Sequence, residues 1–229
     1  MRIRAGACFL AASLVLLPAQ DRGASLAVSY SDRLHVSSRP ELDRRLRAPF
    51  LNGTAHPNGV SNCTQWLDLP GTRGNQASDR LVPAQRSTLA ECLVLRELSR
   101  ALPARSSYLR QLQWDAGVLP LLPPQLAINA SPFSRQGAAG AARQGRNWLT
   151  FDPSVTATVH APDTILVSGQ GFRTQLILWG RGAFDPSRTE ELLVQSLDTL
   201  TEGTYRNTRL FILARRSPTG PLVLVRSLL

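Results

Sequence analysis

Trp179-Gly-Arg-Gly-Ala-Phe-Asp-Pro-Ser-Arg-Thr-Glu-Glu-Leu-Leu-Val194 decides how the C-terminal half of this chain is read. Apolar segments flank a turn-rich centre. Counted from Ala183, the alternate positions Asp185, Ser187, Thr189 and Glu191 carry side-chain oxygens. Oxygen donors at every second position around a tight turn are the pattern of a short calcium loop between two strands. A helix competes for the same residues. Leu192, Leu193, Leu197 and Leu200 fall near helical spacing, with Glu190 and Glu191 at the end where a helix favours acids. The stretch therefore decides whether a sheet runs through this region or stops at it.

Its surroundings favour a sheet. Val155–Val159 alternates, Ala161-Pro-Asp163 turns, and Thr164–Ser168 follows as a second strand. Gly169-Gln-Gly171 turns again into Arg173–Trp179. Beyond the stretch, Arg209–Ala214 and Leu222–Val225 flank a turn at Ser217-Pro-Thr-Gly220. Short strands joined by tight turns predict an antiparallel meander over residues 148–229, with Arg215, Arg216 and Arg226 as solvated edge charges.

Upstream the pattern is helical or irregular. Leu89, Cys92, Leu93, Leu95, Leu98, Ala101 and Leu102 share a helix face, Thr88 with Glu91 forms a capping box, and Pro103 ends the helix. Ser106 or Ser107 is expected to cap a shorter helix whose Tyr108, Leu109, Leu112 and Trp114 pack into a core. Pro120, Pro123 and Pro124 predict a stiff extended connector with buried leucines, and residues 134–146 read as a flexible loop. Residues 20–62 read as an irregular arm, with two helical turns over Glu41–Arg47 and turn dipeptides at Asn52-Gly53 and Asn58-Gly59. The fold class is α+β: this arm, a helical region over 63–133, then the sheet.

The N-terminus reads as an address. Arg2 and Arg4 precede an apolar run, Ala5 to Leu17, which Pro18 breaks, and small residues follow at Ala19, Gly23 and Ala24. This is the layout of a secretory signal peptide, residues 1–19, with cleavage between 19 and 24. A mature chain without a membrane span in the periplasm or outside the cell is expected. Export leaves Cys63 and Cys92, which pair as a disulfide in an oxidising compartment. The net charge is +10, and all 26 basic residues are Arg, which fits the codon usage of a GC-rich bacterial genome. They are dispersed, without the basic, aromatic-interleaved patch of a nucleic-acid binder, so no nucleic-acid partner is expected. Sequons at Asn52, Asn62 and Asn129 matter only in a glycosylating host.

The run Gly182-Ala-Phe-Asp-Pro-Ser-Arg-Thr-Glu-Glu-Leu-Leu-Val194 resembles the acidic loop of FG-GAP/VCBS-type repeats. The layout around it, with Leu178-Trp-Gly-Arg before and Glu202-Gly-Thr-Tyr and Arg209-Leu-Phe after, resembles uncharacterised exported bacterial proteins with one such loop. The similarity covers about residues 175–215. It implies that Glu191 to about Leu197 is a strand, and that the metal candidates are Asp185, Ser187, Thr189 and Glu191. The loop is degenerate. Ala183 and Ser187 stand where the family has Asp, and Pro186 and Arg188 stand where it has Gly. With Asp185 and Glu191 as the only carboxylates at liganding positions, calcium affinity should be millimolar or weaker. A structural hairpin without a cofactor is expected.

No catalytic constellation emerges. His35 and His56 lie in the arm, and His160 precedes a turn. There is no nucleophile elbow, zinc motif or phosphate loop. The sequence thus points to an exported, non-catalytic protein that binds an envelope protein or anionic polymer. Two rivals remain: an envelope-polymer hydrolase using His160 with Asp152 or Asp163, and a calcium-dependent adhesion module.

Overall fold

The computed structural model describes residues 25–36, 38–50, 59–69, 81–128 and 131–229. The expected signal peptide, Asn52-Gly53, His56, Asn58 and Asn129 lie outside the described residues. The fold is α+β. One antiparallel sheet holds strands β1 (Ser29–Tyr30), β2 (Thr156–Ala161), β3 (Thr164–Gly169), β4 (Phe172–Gly182), β5 (Glu191–Leu200), β6 (Arg206–Arg215) and β7 (Leu222–Ser227). Strands β2 to β7 lie in sequence order, and the short β1 pairs with the far end of β4. The helices are α1 (Arg39–Arg47), α2 (Cys63–Asp68), α3 (Pro83–Arg100), α4 (Pro132–Arg143) and α5 (Trp148–Phe151).

Both faces of the sheet are covered. Leu176, Leu178, Leu192, Val194, Phe211 and Leu213 pack with Leu109, Leu122, Leu126 and Trp148. Leu193, Leu210 and Ile212 face the other way, against Leu42 of α1, Trp66 of α2 and Leu89 and Leu93 of α3. This double burial explains why the β5 segment imitates a helix. A strand buried on both faces has no polar side to alternate with. Glu191–Leu200 is a strand, paired from Gly182↔Glu191 to Phe172↔Leu200 with β4. A bulge between Leu178 and Gly180 places Trp179 as the extra residue of β4.

The disulfide joins Cys63 at the start of α2 to Cys92 within α3. Helix α3 starts earlier than Thr88. Pro83 occupies its first turn and the Gln85 side chain accepts the Val82 N–H at 3.3 Å, while Thr88 turns inward to donate to the Ala84 carbonyl. The described part of the arm is ordered as well as irregular: α1 spans Arg39–Arg47, and Leu34, Val36 and Leu42 enter the core.

Four local expectations are corrected. Residues 134–146 are not a flexible loop but belong mostly to α4. Ser131 caps it by accepting the Ser134 N–H, Pro132 opens it, Ala138 and Ala141 are buried, and Gly145 ends it at φ 72°. The proline segment is not extended throughout. It winds into 3-10 turns at Ala116–Leu121 and Pro124–Leu126, with Leu119, Leu122 and Leu126 buried as their hydrophobicity demands. No helix forms at Ser106–Trp114, because the backbone there is engaged by the β4–β5 loop. Leu109, Leu112 and Trp114 still reach the core. Arg226 is not a free edge charge either: it donates to Glu97 on α3 at 2.9 Å.

Candidate functional site

Two places carry unusual polar chemistry: the β4–β5 loop and a small cavity where β1 meets β4.

The loop is docked along residues 102–107. Ala183 exchanges backbone hydrogen bonds with Leu102, at 2.9 and 3.0 Å. The Arg188 carbonyl accepts the Arg105 N–H at 2.7 Å, and Glu190 N–H donates to the Ser106 carbonyl at 2.8 Å. The Ser107 hydroxyl donates to the Glu190 carboxylate. Arg188 sits at φ 58°, the left-handed conformation that residues with a side chain adopt reluctantly. Its guanidinium donates to the Pro103 carbonyl at 3.2 Å.

The four candidate ligands do not converge on a cation. Asp185 Oδ1 accepts from both the N–H and the hydroxyl of Ser187, and Ser187 Oγ accepts the Thr189 N–H at 3.3 Å. Thr189 Oγ1 lies 3.4 Å from the Ser106 hydroxyl, which donates to it. Glu191 is 1% exposed, and its Oε2 accepts the Phe184 N–H at 3.0 Å. Its Oε1 is buried and has no hydrogen-bond partner. Burial pushes the Glu191 pKa up to about 7. The Phe184 N–H opposes this, the Asp185 charge adds to it, and Arg216 and Arg226 oppose it more weakly. A resident calcium ion asks for ionised carboxylates turned toward one centre. A buried carboxyl that favours its proton and an Asp folded onto its neighbour do not fit that ion. Among the described residues, no group of three or more His, Cys, Asp or Glu could hold a metal ion.

The cavity lies at the β4 bulge, with a volume of about 230 Å³. Its walls include Ser31, Trp114, Asp163, Gly180 and Arg181. Gly180 lets β1 approach, since a Cβ there would stand 2.5 Å from the Ser29 carbonyl oxygen and 2.7 Å from Leu98 Cδ2. Ser31, 5% exposed, donates its hydroxyl to Asp163 Oδ2 at 2.7 Å. The Arg181 guanidinium donates to the carbonyls of Leu109 at 3.2 Å and Leu112 at 2.9 Å. Trp114 is 7% exposed, and its indole N–H is buried without a partner. A second depression of about 440 Å³ shares Tyr30 and Ser31 and adds Asp32, His35 and Glu41.

The residues offered for hydrolysis are placed apart in role. His160 is exposed on β2, Asp152 accepts from Ser154 within a turn, and Asp163 accepts from Ser31. Ser31, Trp114 and Arg181 were not singled out as site residues by the sequence. The one local signal was Gly180-Arg-Gly182, since paired glycines within a strand mark close approach of another backbone.

No family model, curated protein or solved structure matches this chain.

Proposed function

We propose that the protein is an exported, non-catalytic binding protein of the cell envelope that adheres to an anionic polymer through the surface of α4. The observation that carries this reading is a run of exposed Arg residues in an acid-free stretch of the chain. Arg135 and Arg143 of α4 and the following Arg146 are exposed, and the chain has no Asp or Glu between Asp115 and Asp152. Phe133, in the first turn of α4, is 86% exposed. Guanidinium groups match phosphate and carboxylate in fork geometry, and an exposed aromatic adds apolar contact beside them. Export is supported by the Arg2/Arg4 and apolar N-terminal pattern, and by the Cys63–Cys92 disulfide, which suits an oxidising compartment. Among the described residues no helix is long and apolar enough to cross a membrane.

The test is binding of the mature chain to polyphosphate and to poly-glutamate over a salt series. The wild type should bind and weaken as salt rises, because screened charges carry the contact. Reversing Arg135, Arg143 and Arg146 to Glu should lower affinity at least about tenfold at low salt, on the order of 1 kcal/mol per charge. Unchanged binding by a folded triple variant refutes the assignment to α4, and absence of binding by the wild type refutes the polymer reading.

A further inference from the structure

We infer that the cavity between β1, β4 and the Pro162–Asp163 turn is a binding site for a small zwitterion, a compact molecule with one carboxylate and one ammonium group. Two side chains of opposite charge and an aromatic ring meet there. The Arg181 guanidinium is anchored by two backbone carbonyls, and among the described residues it has no carboxylate partner. Asp163 accepts the neutral Ser31 hydroxyl on Oδ2, and among the described residues it forms no ion pair. Trp114 lines the same cavity, and its indole N–H is buried without a partner.

Each feature is unusual by itself. Buried polar groups in folded proteins are almost always hydrogen-bonded, and an orphan marks a missing partner. Charges taken partly out of water are normally paired. Arg181 and Asp163 line one cavity without bridging it. A direct pair would have closed the site. A ligand of single charge would satisfy one of them and repel the other. A zwitterion completes both: its carboxylate meets Arg181 beside the Trp114 ring, and its ammonium meets Asp163.

The architecture holds these groups in place. Arg181 is fixed by carbonyls from the segment that packs on the sheet, so its charge is oriented before any ligand arrives. Asp163 is oriented by Ser31, and its own carbonyl accepts the Leu178 N–H at 2.9 Å. Ser31 is held by its N–H donating to the Trp179 carbonyl at 2.9 Å, at the bulge itself. The bulge that breaks the β4–β5 ladder thus gathers three chain segments around one small volume. This site is independent of the α4 surface.

The experiment is a titration of the 15N-labelled mature protein, read on the indole N–H resonance of Trp114, assigned with Trp114→Phe. Glycine and β-alanine should move this resonance saturably. Acetate and methylammonium, each carrying half of the recognition, should need at least about tenfold higher concentration, the loss expected for one charged hydrogen bond. Asp163→Asn should weaken glycine about tenfold and leave acetate unchanged. If Asp163→Asn does not fold, the comparison of glycine with acetate on the wild type decides alone. No saturable shift with either zwitterion at tens of millimolar, equal affinity for glycine and acetate, or an equal response to glucose would overturn the inference.

Discussion

Replacing Glu191 with Gln tests the account of the β4–β5 loop most directly. Glu191 is almost fully buried, and its pKa is pushed from 4.5 up to about 7, chiefly by desolvation. The native state therefore keeps a proton that the unfolded chain releases near its ordinary value. Stability from this group is fully present below about pH 4.5 and is lost as the pH rises through about 7. The difference between the two values corresponds to about 3 kcal/mol at most. Gln cannot ionise, and its amide oxygen can still accept the Phe184 N–H. Urea unfolding followed by tryptophan fluorescence from pH 5 to 8.5 should show both proteins close in stability at the acid end. At the alkaline end Glu191→Gln should be the more stable, by up to about 3 kcal/mol. Asp185, Arg216 and Arg226 are common to both proteins, so their own contributions largely cancel in the difference. Parallel stability profiles, or a gap that opens in favour of the wild type, would refute the buried, proton-retaining carboxyl.

Three further outcomes follow from particular contacts. Cys63 and Cys92 are separated by 29 residues, and replacing both with Ala should lower stability by about 3–4 kcal/mol in thermal or urea unfolding; a loss near zero would mean that the bond does not constrain the unfolded chain. Gly180→Ala should destabilise by about 1–3 kcal/mol, because the new Cβ meets backbone at 2.5 Å, whereas Gly137→Ala in α4, with open space around it, should gain about 0.5–1 kcal/mol. Arg209→Met should be the most damaging, at about 3–5 kcal/mol. It strands Asp198, which is buried and accepts from Arg209 at 2.8 Å and from Thr174 at 2.9 Å. A double variant that also neutralises Asp198 should recover part of the loss, and no recovery would deny the pairing.

The sheet was legible because its turns are chemically marked. Pro162, Gly169, Gly171 and Gly220 punctuate strands whose residues are β-branched or leucine-rich. The β5 segment was not legible by pattern, since both of its faces are buried and Gln195, Ser196 and Asp198 lie inside as well. Only the resemblance to the FG-GAP/VCBS-type loop implied a strand there. Helix α4 was hidden by composition: its two glycines read as flexibility, while the Ser131-Pro132 start and the alanine face were the stronger local signals. The segment Ser106–Trp114 failed for the opposite reason. Its serine could cap a helix, and Ser107 does accept the Leu109 N–H at 2.8 Å. Tertiary hydrogen bonds to the loop then take the neighbouring backbone groups, a competition that no local pattern records. The zwitterion site was out of reach in the same way, since the Ser31–Asp163 bond spans 132 residues.

The β4–β5 hairpin is held by the segment docked along it. Residues 102–107 supply backbone donors to the loop carbonyls and a hydroxyl to Glu190, and Arg188 adopts φ 58° with its side chain tied to Pro103. Glu191 is turned onto the Phe184 N–H, where desolvation favours its proton. The same segment continues to Leu109 and Leu112, whose carbonyls hold Arg181 at the cavity wall. Residues 102–112 therefore brace the hairpin at one end and orient a cation at the other. A change that loosens the hairpin, such as Ala183→Pro with its lost N–H to Leu102, should also weaken glycine binding at the cavity. Measuring both stability and the Trp114 resonance in that variant separates this coupling from independent sites, for which glycine affinity would stay at the wild-type value.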